Sequence, residues 1–311
     1  MILGVNLVGC NINLKSNDIR ILSENGLPAI SISKLAKEEN KIKKGYNTIY
    51  NIESDSDKIK EVLLNGQAEI CLISTDIAVK IYNETSNYQI AGSIGQGSYY
   101  LVTSDSTITG FDSSLINKEV AIIGENSIID TTVKSILKEN QVNESLINYK
   151  YVEDAPSLVT NLASGQVVTG IVPETSLATL LYKHSGLKIL SSTNEAYEVA
   201  FNIDGGYPQF SVIVRKDFVD ESKEYVDLFL SELEKSIDYA NAEPLQTGAY
   251  AEELGVPVKP QVLSRAIERC NLKFISIKDY RNNYKNYFNN LYDYNKDAVG
   301  GTVPDESIYY K

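Results

Sequence analysis

"NGQAEICLIST" (residues 65–75) turns the chain at Asn65-Gly66, runs through an apolar stretch and ends on Ser74-Thr75, with Asp76 next. Ninety-nine positions later "SGQVVTGIVPE" (residues 164–174) repeats the layout: a small residue, Gly165-Gln166, a short apolar run, then Pro173-Glu174. A short apolar run after a glycine turn reads as a buried strand, and Ser, Thr and Asp favour the start of a helix. The same corner is therefore built twice, once in each half of the chain.

The surroundings of each corner repeat as well. In the first half "DIRILSE" (18–24) and "NTIYNIES" (47–54) read as strands, "AISISKLAKEENK" (29–41) and "DSDKIKEVLLNG" (55–66) as helices, the latter capped by Asp55 or Ser56. "TDIAVKIYNE" (75–84) follows the corner as a third helix. The second half alternates likewise: "EVAIIG" (119–124), "INYKYVE" (147–153) and "VVTGIVP" (167–173) as strands, with helices over 127–140, 155–165 and 174–186. Strand and helix in alternation predict parallel sheets with helical crossovers, so the expected class is α/β with two lobes of similar build.

Two extended, glycine-broken segments join the halves: "YQIAGSIGQGSYYLVTSDS" (88–106) and "EVAFNIDGGYPQFSVIVRKDF" (198–218). They are read as a pair of hinge strands, with lobe 1 formed by 18–98 plus 216–311 and lobe 2 by 99–215. Gly92, Gly95 and Gly97 sit in the first segment, where glycine supplies freedom for the crossing. Their spacing is no dinucleotide loop, because the strand–GxGxxG–helix order is missing. Beyond residue 219 the pattern turns helical over 222–242, 259–272 and 277–295, and the tail is irregular.

A length of 311 residues suits two lobes, and 43% apolar with 23% charged residues is a folded balance. A formal charge of −12 with no basic face excludes a nucleic-acid partner. Three cysteines are too few and too scattered for a disulfide framework or a metal site, and no cofactor motif occurs; neither metal nor cofactor is expected. Cys71 reads as a buried small hydrophobe. Leu7-Val8-Gly9-Cys10 fits a lipobox, with Cys10 lipidated after cleavage before it and residues 1–17 as signal and tether, although the charged and apolar regions of a signal are short. Membrane contact is then expected through a lipid anchor.

In open α/β sheets, ligands sit beyond the carboxyl ends of strands, against helix starts. The candidate site is therefore Asn25, Gly26, Leu27 and Pro28; Ser74, Thr75 and Asp76; Gly124, Ser127 and Ile128; and Pro173, Glu174 and Thr175. Gln96, Gly97, Ser98 and Tyr99 on the first crossing, with Tyr207 and Gln209 on the second, are placed at the waist of the cleft. Tyr99 or Tyr100 could stack on a flat ligand. Ser74-Thr75-Asp76 taken alone is a helix cap; its recurrence in the other half is what marks it. The sole histidine, His184, reads as a solvated helix end. Asp76 and Glu174, at opposing strand ends, are the one pair that could act as acid and base.

The segments "IRILSENGLPAISISKLA", "LLNGQAEICLIS", "LINKEVAIIGENSIIDTTVKSILKE", "LASGQVVTGIVPETSLATLL" and "GGYPQFSVIVRKDFV" stand in an order and spacing that resembles the substrate-binding proteins of ABC importers. The group resembled is the nitrate/sulfonate/taurine and thiamine-precursor one, the NMT1/THI5-like family, from about residue 18 to the "PDESIYY" end. The resemblance implies a bilobal periplasmic-binding-protein-like fold of type II that closes on a small solute. It also implies an ABC permease partner, an extracytoplasmic location and a monomer. The ligand stays open: no histidine- and tryptophan-rich pocket is present, and no arginine falls in the candidate loops. A sulfonate or nitrate would rest on backbone N–H groups and hydroxyls, and a neutral or aromatic ligand on Tyr99 or Tyr100. The alternative is an enzyme on the same scaffold, similar to the dehydratases of menaquinone synthesis.

Overall fold

The computed structural model describes residues 17–38, 42–183 and 186–311. Cys10 and His184 lie outside them. The first half builds β1 (Asp18–Glu24), α1 (Leu27–Lys37), β2 (Asn47–Glu53), α2 (Ser56–Leu64), β3 (Ile70–Ser74), α3 (Thr75–Thr85) and β4 (Tyr88–Gln96). The second builds β5 (Tyr99–Thr103), β6 (Glu119–Ile123), α4 (Ile128–Glu139), β7 (Asn148–Val152), α5 (Ala155–Ala163), β8 (Thr169–Pro173), α6 (Glu174–Lys183), β9 (Lys188–Ser192) and α7 (Thr193–Phe201). The chain then returns through β10 (Pro208–Arg215), α8 (Lys216–Ala242), α9 (Pro244–Glu253), α10 (Pro260–Ala266), β11 (Leu272–Ser276) and α11 (Ile277–Tyr294).

These strands form two sheets, ordered β2-β1-β3-β10-β4-β11 and β7-β6-β8-β5-β9. The two orders follow one rule. β1 lies between β2 and β3, and β6 between β7 and β8, in parallel in both cases, so that β3 and β8 are the third strand of each parallel set. Against the third lies an antiparallel strand borrowed from a crossing: β10 on β3 and β5 on β8. Each lobe thus completes its sheet with a strand from the segment that joins it to the other. The duplicated corner is the end of the central strand in each sheet, β3 and β8, and both are buried up to their last residue. A central strand covered on both faces must be apolar throughout, which is why the two runs look alike.

β10 corrects the division of the chain. The sequence reading kept residues up to 215 in the second lobe, whereas Pro208–Arg215 pairs with β3 and β4 of the first sheet. The second crossing is accordingly the short piece 202–207, and residues 198–201, read as extended, end α7. Two strands also went unread. β9 lies outside every assigned segment, and β11 begins within "KPQVLSRAIERCNL", which was taken as helix to its end. Gly92 serves packing rather than the hinge: a Cβ there would lie 2.7 Å from the Ile275 carbonyl oxygen of β11.

Helix starts follow the expected chemistry. Asp55 caps α2 by accepting from the Asp57 and Lys58 N–H groups, and Ser192 with Glu195 forms a capping box on α7. α8 departs from helical geometry at Ser222, where the sequence pattern itself begins. α11 buries Ile277, Tyr280, Tyr284, Tyr287, Phe288 and Leu291, a stripe at three- and four-residue spacing. That stripe sets the tyrosines of α11 against both lobes.

Candidate functional site

A cavity of about 260 Å³ lies between the lobes. From the first lobe it takes Glu24 through Leu27, at the end of β1 and the start of α1, and Ser74 before α3. From the second it takes Ile128 at the start of α4 and Pro173, Glu174 and Thr175 at the start of α6. The borrowed strands supply matching walls. Phe210 of β10 pairs with Ser74, and Tyr99 of β5 pairs with Pro173, so one aromatic ring stands opposite each corner.

The polar groups around the cavity are committed unequally. α1 and α3 begin without a side-chain cap, while the Ser127 hydroxyl caps α4 by accepting from Asp130 N. Glu24 reaches across to the start of α3, where its Oε2 accepts from Ser74 N at 2.7 Å and Ser74 Oγ at 2.6 Å. Burial raises the pKa of Glu24, the Ser74 hydrogen bonds oppose that rise, and the nearby charge of Asp76 adds to it. Glu174 holds a two-pronged pair with Arg269, at 2.9 Å to Nε and 2.7 Å to Nη2. Burial raises its pKa too, against the pull of Arg269. Tyr99 is pushed up to about 12 by burial, with Glu24 and Asp76 adding to the shift.

The sequence pattern of the "NMT1/THI5 like" family matches residues 48–247, well over half of the chain. The chain belongs to the NMT1/THI5-like family. No curated protein matches it. Among solved structures, an ABC transporter from Parabacteroides distasonis superposes with a TM-score of 0.81 at 20% identity, covering 95% of this chain and 99% of that one. The periplasmic aliphatic sulphonate binding protein SsuA from Escherichia coli gives 0.75 at 10% identity over 96% and 93%. The alkanesulfonate-binding protein SsuA from Xanthomonas axonopodis pv. citri, bound to MOPS, gives 0.64 at 12% over 94% and 96%. At these identities the likeness shows the fold, which is that of periplasmic binding proteins.

In this NMT1/THI5-like chain the two crossings are tied together at the waist of the cleft. Ser98 N and Oγ both donate to Gln209 Oε1, at 2.7 and 3.2 Å. Asn194 Oδ1 of α7 accepts from Gly97 N at 3.1 Å and Tyr207 N at 3.3 Å, one from each crossing. Asn271 grips the first crossing from the other side, donating to the Gly97 carbonyl at 2.6 Å. Gly97 leaves no room for a side chain, since a Cβ would lie 2.4 Å from the Tyr207 ring. Gly97→Ala should lower stability by roughly 2 kcal/mol, because Tyr207 is buried and must move. Gly95→Ala, whose Cβ would meet Phe210 at 3.4 Å, should cost less than about 1 kcal/mol; urea unfolding of both variants checks the ranking.

The structure brings Asn25, Gly26, Leu27, Ser74, Ser98, Tyr99, Ile128, Pro173, Glu174, Thr175 and Gln209 to the cavity, and sends the other candidates elsewhere. Pro28 is buried within the first turn of α1. The Thr75 hydroxyl meets Ser211 Oγ at 2.7 Å inside the first lobe, and Asp76 pairs with Lys80 at 3.1 Å. Gln96 is buried and donates to Ser93 Oγ, and Gly97 is occupied with the hinge contacts. Gly124 and Ser127 shape the turn before α4, where Ser127 Oγ also donates to the Ile123 carbonyl. Tyr207 stacks on Tyr287 with its hydroxyl against Thr193 Oγ1, and the Tyr100 hydroxyl turns away from the cavity to the Arg269 carbonyl.

Glu24, Phe210 and Arg269 were missed. Glu24 was within reach of the strand-end rule, being the last residue of β1. Phe210 follows from pairing β10 with β3, and nothing local marks Arg269, 95 residues from its partner.

Proposed function

We propose that the chain is the solute-binding component of an ABC importer, which captures a small organic solute in the cavity between its lobes and delivers it to a membrane permease. The observation that carries this reading is a cavity bounded by four helix starts, between two bodies that, among the described residues, are joined by two short crossings. Family membership and the transporter and sulfonate-binding proteins of the same fold support it. A cavity of about 260 Å³ lies just below the range of drug-sized ligand sites, so the solute is small. Binding draws the lobes together about the crossings, and the permease reads the closed form.

A binding role is favoured over catalysis by the state of the carboxylates. Asp76 and Glu174, the pair that could have served as acid and base, are each held by a cation, Lys80 and Arg269. The location we propose is extracytoplasmic, with Cys10 as the lipid attachment point; a mature chain carrying no lipid mass at Cys10 would remove the anchor.

Thr175→Trp tests the site. Thr175 lines the cavity, and an indole there fills the space a solute needs. Solutes that raise the melting temperature of the wild-type chain should bind this variant at least about 100-fold more weakly, a loss of roughly 2.7 kcal/mol. Equal affinity in the two proteins would place the solute somewhere else.

A further inference from the structure

Two carboxylates, Glu24 and Glu174, line the cavity and a third, Asp76, lies near Glu24 outside it; of the three only Glu24 lacks a cation among the described residues. Glu174 is paired with Arg269 and Asp76 with Lys80, whereas Glu24 has hydrogen bonds from Ser74 alone. Both of those bonds fall on Oε2. Oε1 accepts none from any described residue, yet it is not sealed off, and Glu24 lines the cavity. No lysine or arginine lines the same space. Glu24 also occupies the start of α3, so that helix already has a carboxylate where an incoming anion would sit. A sulfonate or nitrate entering here meets negative charge at close range, while a positive group gains a partner in a poorly solvated place.

We propose that the cavity selects a small organic cation, such as an amine or amidine on an apolar body, with Glu24 as its counter-charge and specificity-determining residue. This rests on the solute-binding reading above and narrows it to a substrate class. Tyr99 and Phe210 supply the walls for the apolar body, and an aromatic face adds attraction for a cation beside it. The cationic end lies against Glu24 Oε1, where the carboxylate is free to accept.

The test uses three probes of similar shape, benzylamine, benzyl alcohol and benzenesulfonate, titrated into the full wild-type chain by calorimetry at neutral pH. Benzylamine should bind at least tenfold more tightly than either of the others. Glu24→Gln keeps an oxygen for Ser74 and removes the charge; it should lose that preference while benzyl alcohol affinity stays within about threefold. Benzyl alcohol or benzenesulfonate binding as tightly as benzylamine, and competing for the same site, would overturn the charge assignment and leave solute binding standing. Silence from all three probes in the wild-type chain would overturn the proposed substrate class and leave solute binding to the Thr175→Trp test. The wild-type ranking decides the matter without the variant, so a Glu24→Gln chain that fails to fold does not rescue the proposal.

Discussion

Tyr287→Ala should destabilise the protein by about 4 kcal/mol, the largest loss expected from any single change considered for this fold. The side chain is fully buried on α11, stacked on Tyr207 at a centroid distance of 4.9 Å and edge-on to Tyr197 at 5.8 Å. Its hydroxyl lies 2.9 Å from Thr132 Oγ1 of α4. Those neighbours come from the second crossing, from α7 and from α4, so one ring joins the C-terminal helix to the crossing and to the second lobe. The truncation removes a large apolar area and leaves a cavity in a region the two bodies share. Tyr287→Phe keeps the ring and should cost only about 1 kcal/mol, because Thr132 still donates to the Ile128 carbonyl. Guanidinium unfolding followed by circular dichroism separates the two; similar losses for both would mean that the hydroxyl, not the ring, carries the contact.

Arg269→Ala should cost about 3 kcal/mol at neutral pH. Removing one partner of a buried pair strands the other, and the Glu174 side chain has no exposed surface, although the Arg269 side chain is 34% exposed and its own contribution is discounted accordingly. The sign of the pH dependence follows from Glu174. Its folded-state pKa is raised by burial and held down by Arg269, so losing the arginine raises it further. A carboxyl with a raised folded-state pKa binds protons more tightly when folded, and its cost to stability shrinks as pH falls through that value. The deficit of Arg269→Ala against wild type should therefore be greatest at neutral pH and narrow as pH falls through the variant's Glu174 pKa. A deficit that stays constant or grows on acidification would show that Arg269 stabilises by packing alone.

The alternation of strands and helices was open to reading from hydrophobic pattern because the central strands β3 and β8 are buried on both faces and cannot be anything but apolar. Their helix-opening corners were equally legible, and so was the presence of two crossings. What the pattern hides is sheet membership: β10 follows the strands and helices of the second half, yet it is hydrogen-bonded between β3 and β4 in the sheet of the first. Local sequence says that "PQFSVIVR" is a strand but not which sheet it joins. Short elements suffered for a different reason. β11 has only five residues and follows a helical pattern directly, so no break announces it.

The candidate site divides along the same line. Residues that line the cavity with backbone or short side chains at strand ends, such as Asn25, Ser74 and Pro173, follow from the general rule about strand termini. Thr75 and Asp76 sit one and two residues further on, and helical rotation turns them toward Ser211 and Lys80 instead. The electrostatic character of the cavity could not be read at all, because it depends on which carboxylates find cations. Glu174 finds Arg269 and Glu24 finds none, a difference made by tertiary packing across 95 residues in the first case.

The most direct test of solute capture between two hinged lobes is the distance between spin labels on Lys60 of α2 and Thr160 of α5, exposed positions on opposite lobes, measured by pulsed electron resonance. Adding a solute that raises the melting temperature should move the distance distribution to shorter values in proportion to the fraction bound, and Thr175→Trp should abolish the movement. A saturating solute that leaves the distribution unchanged, in a protein whose affinity survives Thr175→Trp, would contradict the account.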